Sequence, residues 1–418
     1  MAAPRNALST LLAQAEKKYN LTVGPMGLIT SDTTFLSTGN TALDYALGGG
    51  IPQGRTLEFY GPPSCGKTTL AMQVAIAIQR IIKAGGDPKL GIGPDDALLY
   101  FDYEQAMDPE YAQALGLDME HPSFQFTQPD TLEEGADFAL AAFGTGQVRF
   151  AIFDSVAAMN PSAVAEADSV GKSLPAVQAK LMKNFGVTLN SVLKNNNGTV
   201  IFINHEKEVI DMSAARRPGM PTPTTTPGGL ALKYFASVRV QFRPVRQIKG
   251  TVIDPTLMEE KEIPIATDVK VKVMKNKVAP PFREAIVRVR FGKGFDPFWT
   301  AMQILLANKK VIYNASRYYF HNVAEIGGAP DWMPRESKGT ERPYLHGEKR
   351  VFAMADEHPE WAELLVTYAD QVAKENQDSL KKVAPVRVVS ADEDDDEVTP
   401  DELDELIPSA ADGNRVEI

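Results

Sequence analysis

The chain has 418 residues, of which 44% are hydrophobic and 23% charged, as is typical of globular proteins rather than fibrous or disordered ones. No uninterrupted apolar run reaches the roughly 20 residues that a membrane-spanning helix needs, and no signal peptide or membrane partner is expected. The single cysteine, Cys65, excludes internal disulfides and suits a reducing, cytoplasmic location.

Charge is distributed unevenly along the chain. The formal net charge is −11, but residues 392–405 carry ten acidic side chains and no basic one. Without that run the net charge is only −1, so the rest of the chain can present local basic surfaces. The acidic composition therefore does not exclude a nucleic-acid partner.

The first segment of the chain predicts an arm that precedes the folded core. Residues 5–19 have an amphipathic helical pattern, and residues 21–35 are extended and interrupted by glycine and proline. Such an arm packs either on its own domain or on a neighbouring subunit, and the periodicity leaves both open.

The central region alternates strand patterns with helix patterns. Strands are predicted near 56–60, 97–102, 149–154 and 199–204, and helices near 68–82, 109–115, 132–143 and 175–194. Apolar strands separated by helices indicate a parallel sheet covered on both faces. Alternation of polar and apolar residues predicts an antiparallel extension in three further segments, 237–243, 268–275 and 284–291.

A smaller unit follows the core. It contains predicted helices at 299–307 and 358–376, a short strand pair near 310–321 and a polar stretch at 326–348. Residues from about 380 onward become acidic and are expected to be disordered. The predicted organisation is an arm at 1–35, an α/β core at 36–297, a small α/β domain at 298–378 and a tail at 379–418.

A glycine-containing loop joins the first core strand to the first core helix, and it reads Gly61-Pro62-Pro63-Ser64-Cys65-Gly66-Lys67-Thr68-Thr69. The spacing fits G-x-x-x-x-G-K-[S/T], in which backbone N–H groups and a helix N-terminus surround a polyphosphate. Lys67 can bridge the β- and γ-phosphates, and Thr68 can hold Mg²⁺. The loop predicts a nucleotide site.

Polar residues follow three of the predicted strands, at the sheet edge where open α/β folds bind ligands. Asp154 ends an apolar strand and is predicted to orient a group on Mg²⁺ or to cap the next helix. Glu104 is the candidate general base that would hold the attacking water. His205 stands where a γ-phosphate can be sensed, although a lone histidine is also compatible with a structural role.

Two long segments, 163–175 and 205–229, show no periodicity. The second contains the candidate phosphate-binding groups Lys207, Arg216, Arg217, Thr225, Thr226, Gly228 and Gly229. Cations, hydroxyls and free backbone N–H groups bind nucleic-acid backbones, but loops of this length also occur without such a function.

Taken together, these motifs resemble the RecA family of DNA-pairing filament proteins over about residues 5–320. The resemblance rests on runs that include 36–44, 61–69, 108–112, 128–131, 153–158, 201–204, 231–239 and 273–282. It implies a RecA-like P-loop ATPase core with a mixed, mainly parallel sheet. It also implies ATP and Mg²⁺ as cofactors, and self-association into a helical filament on single-stranded DNA that pairs with homologous double-stranded DNA.

The resemblance also assigns roles to individual residues. Glu104 matches the family's catalytic glutamate, and Asp108, Tyr111 and Phe298 match positions on the adenine side. Lys275 and Lys277 match lysines that reach the γ-phosphate of a neighbouring subunit. The segments 163–175 and 205–229 match the two DNA-binding loops, with Lys180 where the family usually has arginine, and the N-terminal helix matches the polymerisation arm.

Some positions depart from the family pattern. His205 replaces a glutamine, the second loop is rich in proline, and residues 244–267 contain a longer insert. The acidic tail resembles the family's regulatory tail, with an inert solubilising tail as the alternative.

The leading interpretation is a DNA-dependent ATPase that catalyses strand exchange in recombinational repair. The alternatives are a ring helicase or clock-type ATPase, and a nucleotide-binding coat filament with little turnover.

Overall fold

The computed structural model describes residues 33–165, 175–208, 224–253, 259–336 and 341–382, together with six helical positions between 10 and 18. The chain divides into two compact units, residues 1–373 and 374–418, and the first is described below. Most of the predicted arm, parts of both predicted loops and the acidic run at 392–405 lie outside the described residues. In the ranges given above, no helix is long and apolar enough to cross a membrane.

The described secondary structure begins with short elements before the core. The strands are β1 (Phe35–Leu36), β2 (Ile51–Pro52), β3 (Thr56–Gly61), β4 (Ala97–Asp102), β5 (Phe124–Thr127), β6 (Val148–Asp154), β7 (Thr199–His205), β8 (Lys207–Glu208), β9 (Thr224–Thr225), β10 (Val238–Ile253), β11 (Glu260–Asn276), β12 (Glu284–Arg290), β13 (Gly294–Phe295), β14 (Ile312–Asn314), β15 (Arg317–Tyr319) and β16 (Tyr344–His346). The helices are α1 (Thr41–Leu47), α2 (Lys67–Lys83), α3 (Pro109–Leu115), α4 (Leu132–Gly144), α5 (Ser162–Ala165), α6 (Pro175–Asn196), α7 (Gly229–Phe235), α8 (Pro297–Ala307), α9 (Gly347–Glu357) and α10 (Pro359–Lys382), with a 3₁₀ helix at His321–Ile326.

A mixed sheet lies at the centre, and within the described ranges its strand order is β13-β12-β11-β10-β3-β7-β6-β4-β5. The six strands from β10 to β5 are parallel, and the pairs β10–β11, β11–β12 and β12–β13 are antiparallel. This confirms the predicted α/β fold with a mixed, mainly parallel sheet. The carboxyl ends of β3, β4, β6 and β7 meet at one edge, where ligands of such sheets bind.

The central strands are buried on both faces because their side chains alternate between two hydrophobic clusters. On β6, Phe150 and Ile152 join the cluster that includes α2, while Ala151 and Phe153 join the one that includes α4 and α6. Phe153 stacks on Phe101 with ring centroids 4.4 Å apart. Burial of one such aromatic side chain contributes about 1.5–3 kcal/mol, so these layers hold the strand ends in place.

The hairpin of β10 and β11 is longer than the sequence predicted. The predicted strands ended at 243 and began at 268, whereas the pairing extends to Ile253 and Glu260. Register shifts interrupt the ladder between Arg239 and Val240, between Pro244 and Arg246, and between Ile248 and Lys249. Such bulges break the period-2 pattern on which the prediction depended, so no strand was predicted across residues 244–267.

A third hydrophobic cluster lies in the C-terminal part of the first unit, where Phe298, Phe320 and Trp361 pack together. Helix α9 was not predicted, because the polar stretch that precedes it hides its start. Helix α8 begins after Asp296, whose carboxylate accepts from the backbone N–H of Trp299. The domain boundary at 297/298 stays a prediction.

Candidate active site

The loop Gly61–Thr69 connects β3 to α2 and lines a cleft of about 260 Å³. Gly66 is the N-cap of α2 with φ +85°, a left-handed conformation that favours glycine. A Cβ there would lie 3.1 Å from Val289 Cγ2 and 3.3 Å from Phe295 Cζ, so the loop is also tightly packed. No side chain caps α2, which leaves its first N–H groups for an anion.

Lys67 is the cation of this loop, and it is 5% exposed. Its Nζ donates to the carbonyl oxygens of Gly61 at 3.2 Å and Pro62 at 2.6 Å. Neutral carbonyl oxygens hold an ammonium less strongly than a charged acceptor does, so an arriving phosphate can replace them. Cys65 lies beside it, fully buried, with its thiol donating to the Pro62 carbonyl.

Asp154 and Thr68 place oxygen atoms in the same cleft. Asp154 Oδ2 accepts from Thr68 Oγ1 and from the Tyr100 hydroxyl, each at 2.9 Å. Burial raises the pKa of the Asp154 carboxyl. Among the described residues there is no cluster of three or more His, Cys, Asp or Glu side chains that would cage a metal alone. One carboxylate and one hydroxyl fit Mg²⁺, which commonly takes its other ligands from phosphates and water.

Glu104 follows β4 and faces the same cleft. Its Oε1 accepts hydrogen bonds from Ser155 Oγ and from His205 Nε2, the latter at 2.8 Å. These contacts, the His205 hydrogen bond above all, hold the pKa of Glu104 below its usual range. The cleft therefore brings together an ionised carboxylate, a buried lysine and a pair of metal-type ligands.

The chain is similar to known proteins over most of its length. A family profile described as RecA N-terminal domain matches residues 6–296. The protein named Protein RecA of Streptococcus sanguinis (strain SK36) is 35% identical over 322 residues, which are 77% of this chain and 75% of the relative. Protein RecA of Streptococcus parasanguinis is 36% identical over 293 residues, 70% of this chain and 69% of the relative. The chain belongs to the RecA family.

Membership of the RecA family supports a recombinase. It does not favour the two alternatives, which are a ring ATPase and a coat filament.

The structure brings most of the predicted nucleotide-binding residues together at the cleft. Those that line the cleft are Pro63, Ser64, Cys65, Gly66, Lys67, Thr68, Thr69, Glu104, Asp154 and His205, joined by Ile203, which was not predicted. Gly61 and Pro62 border it through their bonds to Lys67.

Of the predicted adenine-side residues, Tyr111 contacts the phosphate loop, whereas Phe298 does not line the cleft. The Tyr111 hydroxyl is 2.9 Å from Thr69 Oγ1, and Asp108 caps α3 by accepting from the Tyr111 N–H at 3.1 Å. Phe298 is 6% exposed, lies in the C-terminal cluster and does not line the cleft. Phe295 is a second aromatic residue near the phosphate loop, since a Cβ added at Gly66 would lie 3.3 Å from its Cζ.

The two lysines predicted to act across a RecA filament interface lie outside the cleft. Lys275 Nζ donates to the carbonyls of Lys233 at 2.7 Å and Tyr234 at 2.9 Å, and Lys277 Nζ donates to Tyr234 at 3.3 Å. Burial, followed by the neighbouring charges of Lys277 and Arg239, lowers the pKa of Lys275 to about 8. Both ammonium groups therefore occupy the C-terminal end of α7.

The predicted DNA-binding residues are described only in part. Lys180, Lys207 and Thr225 are exposed, whereas Thr226 is 4% exposed. Gly228 and Gly229 have φ +83° and +67° at the start of α7. Arg216 and Arg217 lie outside the described residues.

Sequence reasoning missed a buried polar group beneath the second loop. Glu58 is 0% exposed on β3, accepts from Asn204 Nδ2 at 2.9 Å and forms an ion pair with Arg239. Asn204 Nδ2 also donates to the Pro227 carbonyl at 3.0 Å. A carboxylate between Leu57 and Phe59 in an otherwise apolar strand was the available signal, because buried carboxylates need partners.

Proposed function

We propose that this chain is a DNA-dependent ATPase that assembles as a helical filament on single-stranded DNA and exchanges strands with homologous double-stranded DNA. The observation that carries the proposal is the convergence of Lys67, Asp154 and Glu104 on one cleft at the phosphate loop. Family membership supports the recombinase reading of that cleft. The single free cysteine, Cys65, and a DNA partner make the cytoplasm the expected location.

Each group of the cleft has a proposed role. The N–H groups of the loop and Lys67 bind the β- and γ-phosphates of ATP. Thr68 and Asp154 hold Mg²⁺, which neutralises charge on the phosphates when it is bound. Glu104 orients the attacking water and accepts its proton. Asp108 and Tyr111 border the adenine, and His205 senses the γ-phosphate.

The remaining groups act only in an assembly. Lys275 and Lys277 supply cations to the γ-phosphate of a neighbouring subunit, where they stabilise charge in the transition state. Exposed Lys180, Lys207 and Thr225, with Arg216 and Arg217, bind the DNA backbone. Phosphate contacts of this kind carry no sequence information, as is required of a protein that pairs any homologous strands.

A strand-exchange assay with ATP and Mg²⁺ tests the proposal. Wild-type protein is expected to form joint molecules, and Lys67→Ala is expected to form none. Lys83→Ala is the matched control, because Lys83 ends the same helix and pairs with Asp118 at the surface. The recombinase function would be contradicted if wild-type protein formed no joint molecules, or if electron micrographs showed closed rings on DNA.

A further inference from the structure

The phenol of Tyr100 is a polar group in the apolar cluster behind the cleft. Tyr100 lies on β4 opposite Ile152 of β6, and both side chains belong to the hydrophobic cluster that includes α2. Side chains two residues apart on a strand share a face, so Asp154 follows Ile152 on that face. Tyr100 is 2% exposed, and its hydroxyl donates to Asp154 Oδ2 at 2.9 Å. The core therefore supplies a donor to a carboxylate of the cleft.

The Asp154 carboxylate receives its two hydroxyl donors on one oxygen. Thr68 Oγ1 donates to the same Oδ2, also at 2.9 Å. Rotation of the carboxylate would break at least one of these bonds, so the pair fixes its orientation. Oδ1, which accepts neither hydroxyl, is left for a further ligand. The hydroxyl of Thr68 gives its one hydrogen to Asp154, and its lone pairs stay available for a cation.

Packing holds the ring of Tyr100 in this position. The ring stacks on Phe126 of β5, with centroids 5.9 Å apart and an angle of 23° between the planes. Tyr100 does not line the cleft, so its hydroxyl acts on the cleft through Asp154. A phenylalanine at this position would keep the ring and its stacking and would remove only the donor.

We propose that Tyr100 is a positioning residue for Mg²⁺, which it serves by orienting Asp154 and not by touching the metal. The inference rests on the proposed function, in which Thr68 and Asp154 hold Mg²⁺. The Tyr100 hydroxyl stabilises the orientation in which Oδ2 accepts from Thr68 and Oδ1 is left for the metal or for a water bound to it. Hydrogen bonds to metal ligands of this kind change metal affinity by about 10–100-fold.

Metal binding measured without turnover tests this role. Mn²⁺, which takes the same oxygen ligands as Mg²⁺, is titrated by electron paramagnetic resonance in the presence of a non-hydrolysable ATP analogue. Tyr100→Phe is expected to weaken Mn²⁺ binding by about 10–100-fold. Its affinity for the analogue in EDTA should stay unchanged, because Lys67 and the loop N–H groups are intact. A defect in folding or packing would weaken both.

Tyr103→Phe is the matched control. Tyr103 follows the same strand and is 8% exposed, but its hydroxyl has no hydrogen-bond partner among the described residues. Both affinities of this variant should equal those of wild-type protein. Asp154→Asn gives a second test, because adding Tyr100→Phe to it should cause little further loss of Mn²⁺ affinity if Tyr100 acts through the carboxylate.

Three results would overturn the inference. They are an unchanged Mn²⁺ affinity in Tyr100→Phe, equal losses of analogue affinity with and without the metal, and losses that simply add in the double variant. Wild-type protein that binds Mn²⁺ with the analogue but lacks DNA-dependent ATPase contradicts the proposed function instead, and the comparison of metal affinities stays valid.

Discussion

Lys67 and Lys275 make the same kind of bond in very different places. Each ammonium donates to two backbone carbonyl oxygens, Lys67 to those of its own loop and Lys275 to those that end α7. Lys67 lines the phosphate cleft, whereas Lys275 does not. Both lysines are thus held by neutral acceptors, and of the two only Lys67 lines the cleft of its own subunit.

If Lys275 acts on a neighbouring subunit as proposed, one subunit contains an incomplete site. In the proposed site the cleft supplies binding groups, metal ligands and a base, and Lys67 is the lysine among the described residues that line it. A second cation that arrives from a neighbour would couple hydrolysis to assembly, since the transition state is stabilised only at a formed interface. Substitutions in the cleft and substitutions at Lys275 should therefore have effects that can be separated.

The largest effect is expected from the half of the site that lies within one subunit. Glu104→Gln should lower kcat of the DNA-stimulated ATPase by about 10²–10⁴-fold, because it removes the proton acceptor and leaves both lysines in place. Filaments with ATP should still form, as seen by electron microscopy. A variant that keeps a near-normal kcat would assign the base to another residue.

Lys275→Ala tests the other half and should lower the same kcat by about 10²–10³-fold. Nucleotide binding by the isolated subunit should persist, since the cleft is intact. An equimolar mixture with Glu104→Gln is the decisive measurement, because some interfaces then pair an intact Glu104 with an intact Lys275. Random mixing along a head-to-tail filament predicts recovery of about a quarter of the wild-type rate. Lack of recovery would place Lys275 outside the neighbour's site.

The sequence predicted the cleft better than the contacts inside it. Glu104, Asp154 and His205 each follow an apolar strand, and parallel strands bring their ends to one edge, so their convergence was predictable. The bonds from Ser155 and His205 to Glu104 depend on loop geometry, which periodicity does not specify. The adenine-side role of Phe298 stays a prediction, and sequence reasoning did not anticipate that Phe298 packs in the C-terminal cluster while Phe295 lies beside Gly66.

The smallest expected effect concerns the pH dependence that Lys275 introduces. The pKa of Lys275 is lowered to about 8, chiefly by burial, so in an isolated subunit this side chain loses its charge as the pH rises through about 8. The unfolded chain, with a lysine pKa near 10.4, binds more protons between these values, so this group makes the subunit more stable as pH rises across that window. Filament assembly with ATP should instead weaken as the pH rises, because assembly needs the charged form of Lys275.

Sedimentation of DNA-bound protein between pH 7 and 9.5 would measure the pH dependence of filament assembly. Wild-type assembly should weaken above about pH 8, by up to about tenfold per unit where the neutral lysine must be protonated on binding. Lys275→Arg should remove the slope, since arginine stays charged, even if its different shape lowers affinity at every pH. Lys272→Arg, on the same strand beside Glu284, is the control and should keep the wild-type slope. Parallel slopes in all three proteins would mean that the charge of Lys275 has no part in assembly.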